Sequence, residues 1–316
     1  MKKWLGVLLL GALVYLASTK FRLSNILYVS SCKLTYEDNK YKVDILILEN
    51  NKNEILSSTG NTIGEAFTRL DQASSLVINY RHMQSIVFDY SILNEECINN
   101  IKAYFLNNSA IDFSFYVFAS NVDGKKLFSY ENPNGIDNYY SVLNVNDKNE
   151  AQFSYVKACH LVSFLKHWSD NAIIKIPIVG LSDSLKNNLR ISGVVCLSKN
   201  KYDILYDYEN PYLYLFNDFK EGNIKLSEYH AIINSNNFSI KLKENLIFKI
   251  RIKYEGLLNL DNNEDITAFF IEKIKANLRY FKLHEIDYFN LDEINKLHHK
   301  QYRLENASID LDVQKK

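Results

Sequence analysis

The strongest constraint in this sequence lies in its first twenty residues, where a positive end precedes an apolar run. The letters MKK are followed by WLGVLLLGALVYLAST, sixteen residues without a charge before Lys20. A helix of that length spans roughly 24 Å, slightly short of a ~30 Å hydrocarbon core. The pattern predicts a secretory signal or membrane anchor at residues 1–20, with everything after Lys20 outside the cytoplasm.

The end of this segment bears on whether it is removed. Signal peptidase requires small residues at the last and third-last positions before its cut. Only a cut after Thr19, with Ala17 in the third-last position, comes close to this requirement. We favour an uncleaved anchor over a cleaved signal, and its apolar surface would consist of Trp4, Leu8, Leu9, Leu10, Leu13, Val14 and Leu16.

Composition narrows the class of protein. The chain has 316 residues, with 37 basic and 37 acidic side chains, and no basic stripe interleaved with aromatic residues. Nucleic-acid binding is therefore not expected. The 22 Tyr and 18 Phe, set against only 10 Gly and 3 Pro, indicate a folded protein rich in strands rather than a linker-rich one.

The four cysteines are widely spaced, at Cys32, Cys97, Cys159 and Cys196. None forms a C-x-x-C pair, so neither a zinc site nor another metal site is predicted. Each lies within or beside an apolar pattern, which favours buried free thiols. A disulfide is permitted outside the cytoplasm, and spacing alone does not assign one.

The first globular part, assigned to residues 21–185, alternates strand and helix patterns. Thr62 and Glu65 form a capping box ahead of apolar residues at helical spacing, and a second helix is predicted from about Asn94 to Asn107. Strand patterns occur in KYKVDILILE, QSIVFDY and IDFSFYVFAS. Together they predict an α/β domain in which crossover helices join strands that are partly parallel.

Three more segments complete this part. Residues 121–150 are polar and rich in turn residues, which is typical of a long loop. Residues 151–168 have the pattern of a helix, and residues 173–181 that of a strand. Pro177 is expected to confine that strand to a sheet edge or a strand end, because proline lacks the backbone N–H group.

The second part, assigned to residues 186–316, has a different rhythm. ISGVVCLS and KYDILYDY flank a short turn, and three further strand-like runs predict an antiparallel meander. A long helix is predicted from near Asp265, followed by a final strand in ASIDLDV. The predicted fold class is therefore mixed α/β (α+β): a membrane helix, an α/β domain, and a β-meander with a long helix.

The best candidate for catalysis is the pair Arg81 and His82, placed just before an apolar strand. A general base needs an orienting partner, and Asp89 would lie roughly 23 Å from His82 along an extended strand. Arg81 could instead pair with Glu65 or Asp71 on the preceding helix. We expect a structural junction here, and no catalytic residue is assigned.

Four segments, in order, resemble the Ger(x)C family, the C subunits of spore germinant receptors. They are YVSSCKLTYEDNKYKV, GNTIGEAFTRLDQASSLVINYRHMQSIVFDYSIL, ISGVVCLSKNKYDILYDYENPYLYLF and IEKIKANLRYFKLHEIDYFNLDEINKLHHKQY. The family is generally lipidated on a cysteine that ends its signal peptide. Thr19 stands at that place here, so the resemblance is to a divergent member without this cysteine, in which the uncleaved helix would serve as the anchor.

The resemblance implies a mixed α/β fold and a non-enzymatic role, with Arg81 and His82 at a helix-to-strand junction. It implies two membrane-embedded partners, an A-type subunit and a transporter-like B-type subunit. It also implies location at the spore inner membrane, and it supplies no cofactor, catalytic or ligand-binding residue.

Two rival functions remain open from the sequence. One is a secreted or surface ligand-binding protein unrelated to germination, which a deep pocket lined by aromatic residues would favour. The other is an extracytoplasmic hydrolase, which would need His82, an acid and a Ser or Cys within hydrogen-bonding distance. Tyr-rich segments such as ENPYLYLFNDF fit a binding groove, a core or an interface equally well.

Overall fold

A computed structural model describes most of the chain after residue 25. The described residues are 26–49, 52–108, 111, 114–129, 158–181, 189–199, 201–218, 224–226, 231–256 and 263–315. The predicted anchor at residues 1–20 lies outside these ranges. Within them, no helix combines the length and the apolar character needed to cross a bilayer.

A ten-stranded mixed sheet forms the first half of the fold. Its order is β10-β9-β8-β6-β5-β1-β2-β3, with β4 paired to β1 and β7 to β6. Its strands are β1 (Ile26–Glu37), β2 (Lys40–Glu49), β3 (Lys52–Gly60), β4 (Val77–Asn79), β5 (Ser85–Phe88), β6 (Tyr116–Ala119), β7 (Cys159–His160), β8 (Ile174–Leu181), β9 (Leu189–Leu197) and β10 (Tyr202–Tyr206). Its helices are α1 (Ile63–Ala73), α2 (Glu95–Asn107), α3 (Gly124–Phe128) and α4 (Leu161–Ser169).

A four-stranded sheet forms the second half, in the order β11-β12-β13-β14. Its strands are β11 (Ile224–Leu226), β12 (Ala231–Leu242), β13 (Leu246–Gly256) and β14 (Ser308–Lys315). Two helices connect β13 to β14, namely α5 (Asn263–Leu283) and α6 (Leu291–His298). Because this connection is long, β14 can lie parallel to β13, whereas β11, β12 and β13 are antiparallel as the meander pattern predicted.

The mixed α/β fold class is confirmed. Strands β1, β5, β6 and β8 are parallel neighbours, and α2 is the crossover between β5 and β6. Hairpins flank this parallel centre on both sides, and the turn between β1 and β2 places Asp38 and Asn39 at positive φ. Two such residues in succession are typical of the type I′ turn that fits the twist of a hairpin.

The capping signals predicted from the sequence are present in the structure. The Thr62 side chain accepts a hydrogen bond from the Glu65 backbone at 3.1 Å, and Glu65 reaches back to the backbone N–H of Asn61 at 2.8 Å. Asn94 caps α2 in the same way through the N–H of Cys97. These bonds satisfy helical N–H groups that have no partner within the helix.

Two predicted elements differ from the structure. Helix α4 begins only at Leu161, because Cys159 and His160 pair with β6, and residues 151–157 lie outside the described ranges. Pro177 lies inside β8 and pairs with Val194 of β9, so its predicted place at an edge or strand end was wrong. On its other side β8 pairs with β6 only at Ala119 and Ile178, so the missing N–H interrupts no continuous ladder.

Two apolar clusters fill the interior of the part of the chain that the structure describes. One lies between one face of the first sheet and helices α1, α2 and α4, and includes Phe67, Ile98 and Phe164. The other joins the opposite face of the first sheet to the second sheet and to α5, through residues such as Phe118, Phe248 and Phe270. The division at residues 185/186 stays a prediction, but β8 and β9 pair across it and the second cluster spans it.

A buried polar cluster lies on the second face of the first sheet, beneath α3. Lys33 on β1 has only 1% of its side chain exposed, and its ammonium donates to Asp89 Oδ2 at 2.8 Å and to the carbonyl oxygen of Val122. Next to it across the strands, the fully buried Asp44 accepts from Ser57 Oγ at 2.5 Å. Asp44 is also paired with Lys42, whose Nζ lies 3.2 Å from Asp44 Oδ2, and pairing makes the burial of such charges tolerable.

Gly124 is the reason that α3 can pack over this cluster. The helix begins behind Asp123, whose carboxylate accepts from the N–H of Lys126, and a Cβ at Gly124 would overlap the carboxylate and Cβ of Asp44. Asp44 is short and buried, so it has little room to move away. The close approach of helix to sheet therefore requires a residue without a side chain.

We expect Gly124→Ala to lower the free energy of unfolding by about 1–3 kcal/mol through overpacking. Gly64→Ala is the matched control, since a Cβ there would lie 3.6 Å from the Tyr104 ring, an ordinary contact. That control should be neutral or slightly stabilising because alanine favours helices over glycine. Urea denaturation of both variants measures the difference, and equal stabilities would contradict the packing argument.

Candidate functional site

The pair Arg81 and His82 occupies an exposed turn between β4 and β5. Its flanking residues Tyr80 and Met83 are buried, which fixes the turn to the sheet. The ring of His82 packs edge-on against Tyr28, with 5.2 Å between ring centroids. The hydrolase hypothesis required an acid and a nucleophile at this ring, whereas the structure places an aromatic side chain against it.

The partners predicted for Arg81 are engaged elsewhere. Glu65 pairs with Arg69 on its own helix, and Asp71 accepts a hydrogen bond from the hydroxyl of Tyr80 at 2.9 Å. Arg81 instead contributes its backbone N–H to the side chain of Asn79, at 2.9 Å. The turn is therefore held by Tyr80 and Asn79, and the predicted pairing of helix to strand through Arg81 was wrong.

The remaining chemically capable side chains do not converge. Among the described residues, no group of three or more His, Cys, Asp or Glu side chains is arranged to hold a metal ion. All four cysteines are buried free thiols, as predicted, and burial raises the pKa of Cys159 and Cys196 to about 12. A thiol with so high a pKa is a poor nucleophile at neutral pH, because the thiolate is the reactive form.

The segment ENPYLYLFNDF belongs largely to the core. Its residues Leu213–Phe216 form a 3₁₀ turn and are buried in the cluster that joins the two sheets. The buried Asn236 on β12 donates its side-chain N–H groups to the carbonyl oxygens of Tyr214, Leu215 and Asn217. This segment therefore fastens the second sheet to the first and does not form an open groove.

A group of four tyrosines, two exposed and two half-buried, lies nearby, at the free edge of the first sheet. We call Tyr90, Tyr202, Tyr206 and Tyr208 the tyrosine patch. The Tyr206 and Tyr208 rings stack at 5.2 Å, and Tyr90 lies 6.4 Å from the Tyr202 ring. Tyr202 and Tyr208 are 38% and 67% exposed. Since β10 is the last strand of the sheet, the patch is accessible from the side.

A cavity in the described part of the chain has a volume of about 880 Å³. It lies between the ends of β8, β9 and β10 and the segment that joins α5 to α6. Its lining is strongly charged, with acidic residues outnumbering basic ones: Asp170, Asp203, Glu285, Asp287, Asp292, Glu293, Lys199, Lys201 and Lys296. None of its described lining residues is aromatic.

Lys175 is the most unusual group beside this cavity. It lies opposite Cys196 on β9, and its Nζ sits 3.6 Å from the centroid of the Tyr288 ring. Burial lowers the pKa of Lys175 from 10.5 to about 8. Its amine is covered by Tyr288 and lies 5.8 Å from the centroid of the Phe289 ring, so it fastens the C-terminal segment to β8 by a cation–π contact.

Asp287 beside it has a structural role. Its two carboxylate oxygens accept hydrogen bonds from the N–H groups of Leu291 and Asp292, at 2.6 and 3.0 Å, at the start of α6. Burial raises the pKa of this carboxyl group. The charged groups around the cavity therefore hold α6 against the first sheet, and neither Lys175 nor Asp287 is left free to act on a substrate.

Comparison with known protein families shows which family the chain belongs to. Residues 20–181 match the model of the spore germination protein N-terminal domain, which is just over half of the chain. The chain belongs to the Ger(x)C family of spore germination proteins. Neither the curated proteins nor the solved structures contain a match to it.

The Ger(x)C match covers the first sheet from β1 to β8, including the buried Lys33 cluster and the turn of Arg81 and His82. Strands β9 and β10, and with them most of the tyrosine patch, lie beyond the matched residues. Membership supports a role connected with spore germination. The assignment of Arg81 and His82 as a structural junction stays a prediction.

The lowered pKa of Lys175 gives a testable dependence of stability on pH. Between about pH 8 and 10.5 the folded protein holds fewer protons at Lys175 than the unfolded chain, so stability rises with pH across this window. Below about pH 8 the cost of burying the charge is fully present. We expect Lys175→Met to raise the unfolding free energy at pH 7 by about 1–3 kcal/mol and to flatten this rise.

The exposed Lys201, which pairs with Asp203 at 3.5 Å, provides the control for this experiment. Lys201→Met should leave the slope of unfolding free energy against pH unchanged. Denaturant titrations at several pH values give the slopes. A Lys175→Met slope equal to that of the unsubstituted protein would show that the amine is not buried as described.

Proposed function

We propose that this chain is a membrane-tethered, extracytoplasmic, non-enzymatic subunit of a spore germinant receptor-like complex, which acts through contacts with other proteins. The observation that carries the proposal is the match to the spore germination protein N-terminal domain over residues 20–181. The A-type and B-type partners are those implied by the family resemblance.

Tethering is supported by the sequence of residues 1–20. Two lysines precede sixteen uncharged residues, an arrangement that keeps the positive end cytoplasmic and exports the chain that follows. A tethered domain meets neighbours in the same membrane at a high effective concentration. Contacts that would be too weak in solution are then sufficient to hold a complex together.

The tyrosine patch is the surface that we assign to a protein partner. Tyrosine is enriched at interfaces because its ring offers a large contact area and its hydroxyl tolerates water. The stacking of Tyr206 on Tyr208 restricts both rings before binding, which lowers the entropy lost on association. The patch also borders a free strand edge, so a partner could contact side chains and backbone together.

The chemistry of the described residues favours binding over catalysis. Burial raises the pKa of Cys159 and Cys196, the Lys175 amine is covered by the Tyr288 ring, and His82 packs against Tyr28. The rival reading as a ligand-binding protein called for a deep aromatic pocket. The cavity of about 880 Å³ has no aromatic side chain among its described lining residues, most of which are charged.

Co-purification tests the proposed complex. The full chain, including residues 1–20, is expressed with an A-type and a B-type receptor subunit encoded by the same genome, and membranes are solubilised in mild detergent. We expect all three proteins to elute together. Replacing Tyr202 and Tyr208 together by alanine should reduce recovery of the partners roughly tenfold or more, as for interface hot spots.

Leu283→Ala is the control, since Leu283 is another exposed apolar side chain but lies at the end of α5. It should leave recovery unchanged. Recovery of the full chain with neither subunit would contradict the proposed complex. Recovery that is unaffected by the tyrosine substitutions would retain the complex and remove the patch from it.

A further inference from the structure

The first strand of the fold begins in a short two-stranded segment at the end of the sheet. Ile26, Leu27 and Tyr28 pair with Val77, Ile78 and Asn79 of β4, whereas the pairing of β1 with β2 begins only at Val29. The pairing with β5 begins at Ser31. At the point where the chain enters the sheet, β1 therefore pairs with β4 alone, beside the end of the β2–β3 hairpin, which continues to Glu49 and Lys52.

Side chains of this two-stranded segment alternate between its two faces. Leu76 and Ile78 pack against the apolar cluster beneath α1, whereas Val77 faces the other way and is 66% exposed. Burial of this valine against an apolar surface would be favourable. Half-buried Ile26, the direct partner of Val77, lies beside it.

Aromatic and basic groups surround these apolar side chains. Tyr28 is half-buried on the same strand as Ile26, and the ring of His82 packs against it. Arg81 is exposed in the same turn. We call Ile26, Tyr28, Val77, Arg81 and His82 the entry tip. Apolar, tyrosine and cationic side chains together are the set that favours the interface of a bilayer with water.

The sequence limits how far the entry tip can stand from the membrane. Only residues 21–25 separate Lys20, at the end of the apolar segment, from Ile26. Six residue steps span at most roughly 20 Å even when fully extended. The headgroup layer alone takes up about 5–7 Å of that length. The remaining reach is short compared with β1 itself, whose twelve residues extend about 40 Å.

We propose that the entry tip rests on the bilayer surface, with Val77 and Ile26 among the lipid headgroups and Arg81 beside anionic phosphates. This inference rests on the tether in the proposed function. It fixes the orientation of the first sheet: β1 rises away from the membrane, so that Tyr206 and Tyr208 of the tyrosine patch lie farther from the bilayer than Tyr202, which begins β10. Because β10 runs parallel to β1, Tyr208, just beyond its end, is far from the bilayer.

A lipid surface fits the tip better than a protein does. The tip is narrow, with two strands, and its exposed apolar area comes mainly from one valine, so it lacks the broad centre of a stable protein interface. Shallow insertion beside a basic group requires no such area when a separate anchor supplies the affinity. The tip therefore orients the domain, and the apolar segment retains it.

Site-directed labelling tests this orientation in the full chain. Val77→Cys and the control Tyr208→Cys place a single reactive thiol at sites of nearly equal exposure, 66% and 67%. The four native thiols are buried and should not react with label in the folded protein. Each variant carries an environment-sensitive fluorophore and is reconstituted into vesicles of phosphatidylethanolamine and phosphatidylglycerol in equal parts.

Flotation of the vesicles is measured first, and then quenching by lipids that carry a nitroxide at the headgroup. We expect both variants to float, and quenching at position 77 to exceed that at position 208 at least fivefold. Arg81→Gln, combined with Val77→Cys, should reduce quenching at position 77 when phosphatidylglycerol is included and have less effect in vesicles of neutral lipid.

The outcomes separate the two proposals. Failure to float would overturn the tether and, with it, the orientation. Flotation with equal quenching at both positions would overturn the orientation alone. Protection of position 77 that depends on protein concentration but not on nitroxide lipid would assign the tip to a second copy of the chain, and would also overturn the proposal.

Discussion

The buried ammonium of Lys33 is the interaction on which the centre of this fold depends. It lies on β1, pairs with Asp89 at the end of β5, and binds the carbonyl oxygen of Val122 in the segment leading to α3. A charge at this depth is stable only with its partners in place. The packing of α3 over the sheet, and the core shared with the second sheet, follow from this arrangement.

Much of the fold could be predicted from local patterns. Thr62 and Asn94 cap the helices that the sequence predicted, and the strand pattern IDFSFYVFAS contains β6, whose Val117 and Ala119 lie in the first apolar cluster. The predicted place of Pro177 was wrong because the absence of a proline N–H group does not show whether a strand has a continuous partner on one side. Strand β8 has such a partner in β9 but pairs with β6 at one position only. The parallel pairing of β14 with β13 depends on the long connection through α5 and α6. Local sequence patterns do not predict a pairing between segments so far apart in the chain.

The candidate site was less accessible to sequence reasoning. Arg81 and His82 were singled out for their chemistry, yet their position depends on buried Tyr80 and Met83, which attract little notice in a search for reactive groups. The tyrosine patch draws Tyr90 from one segment and its other members from a region over a hundred residues away. Such a cluster can be predicted only when the order of the strands in the sheet is known. The family resemblance, by contrast, was confirmed by the match over residues 20–181.

The apolar cluster that contains Phe118 and Phe248 belongs to both halves of the chain. Either half made alone would expose an apolar surface to water. Only the other half has the complementary surface that covers it. If the two halves were produced as separate polypeptides, each would behave as one piece of a split protein, insoluble by itself and restored by its complement. If the gene were divided at this place, both products would expose apolar surface until they met. A single chain avoids this exposure because its two halves are always together.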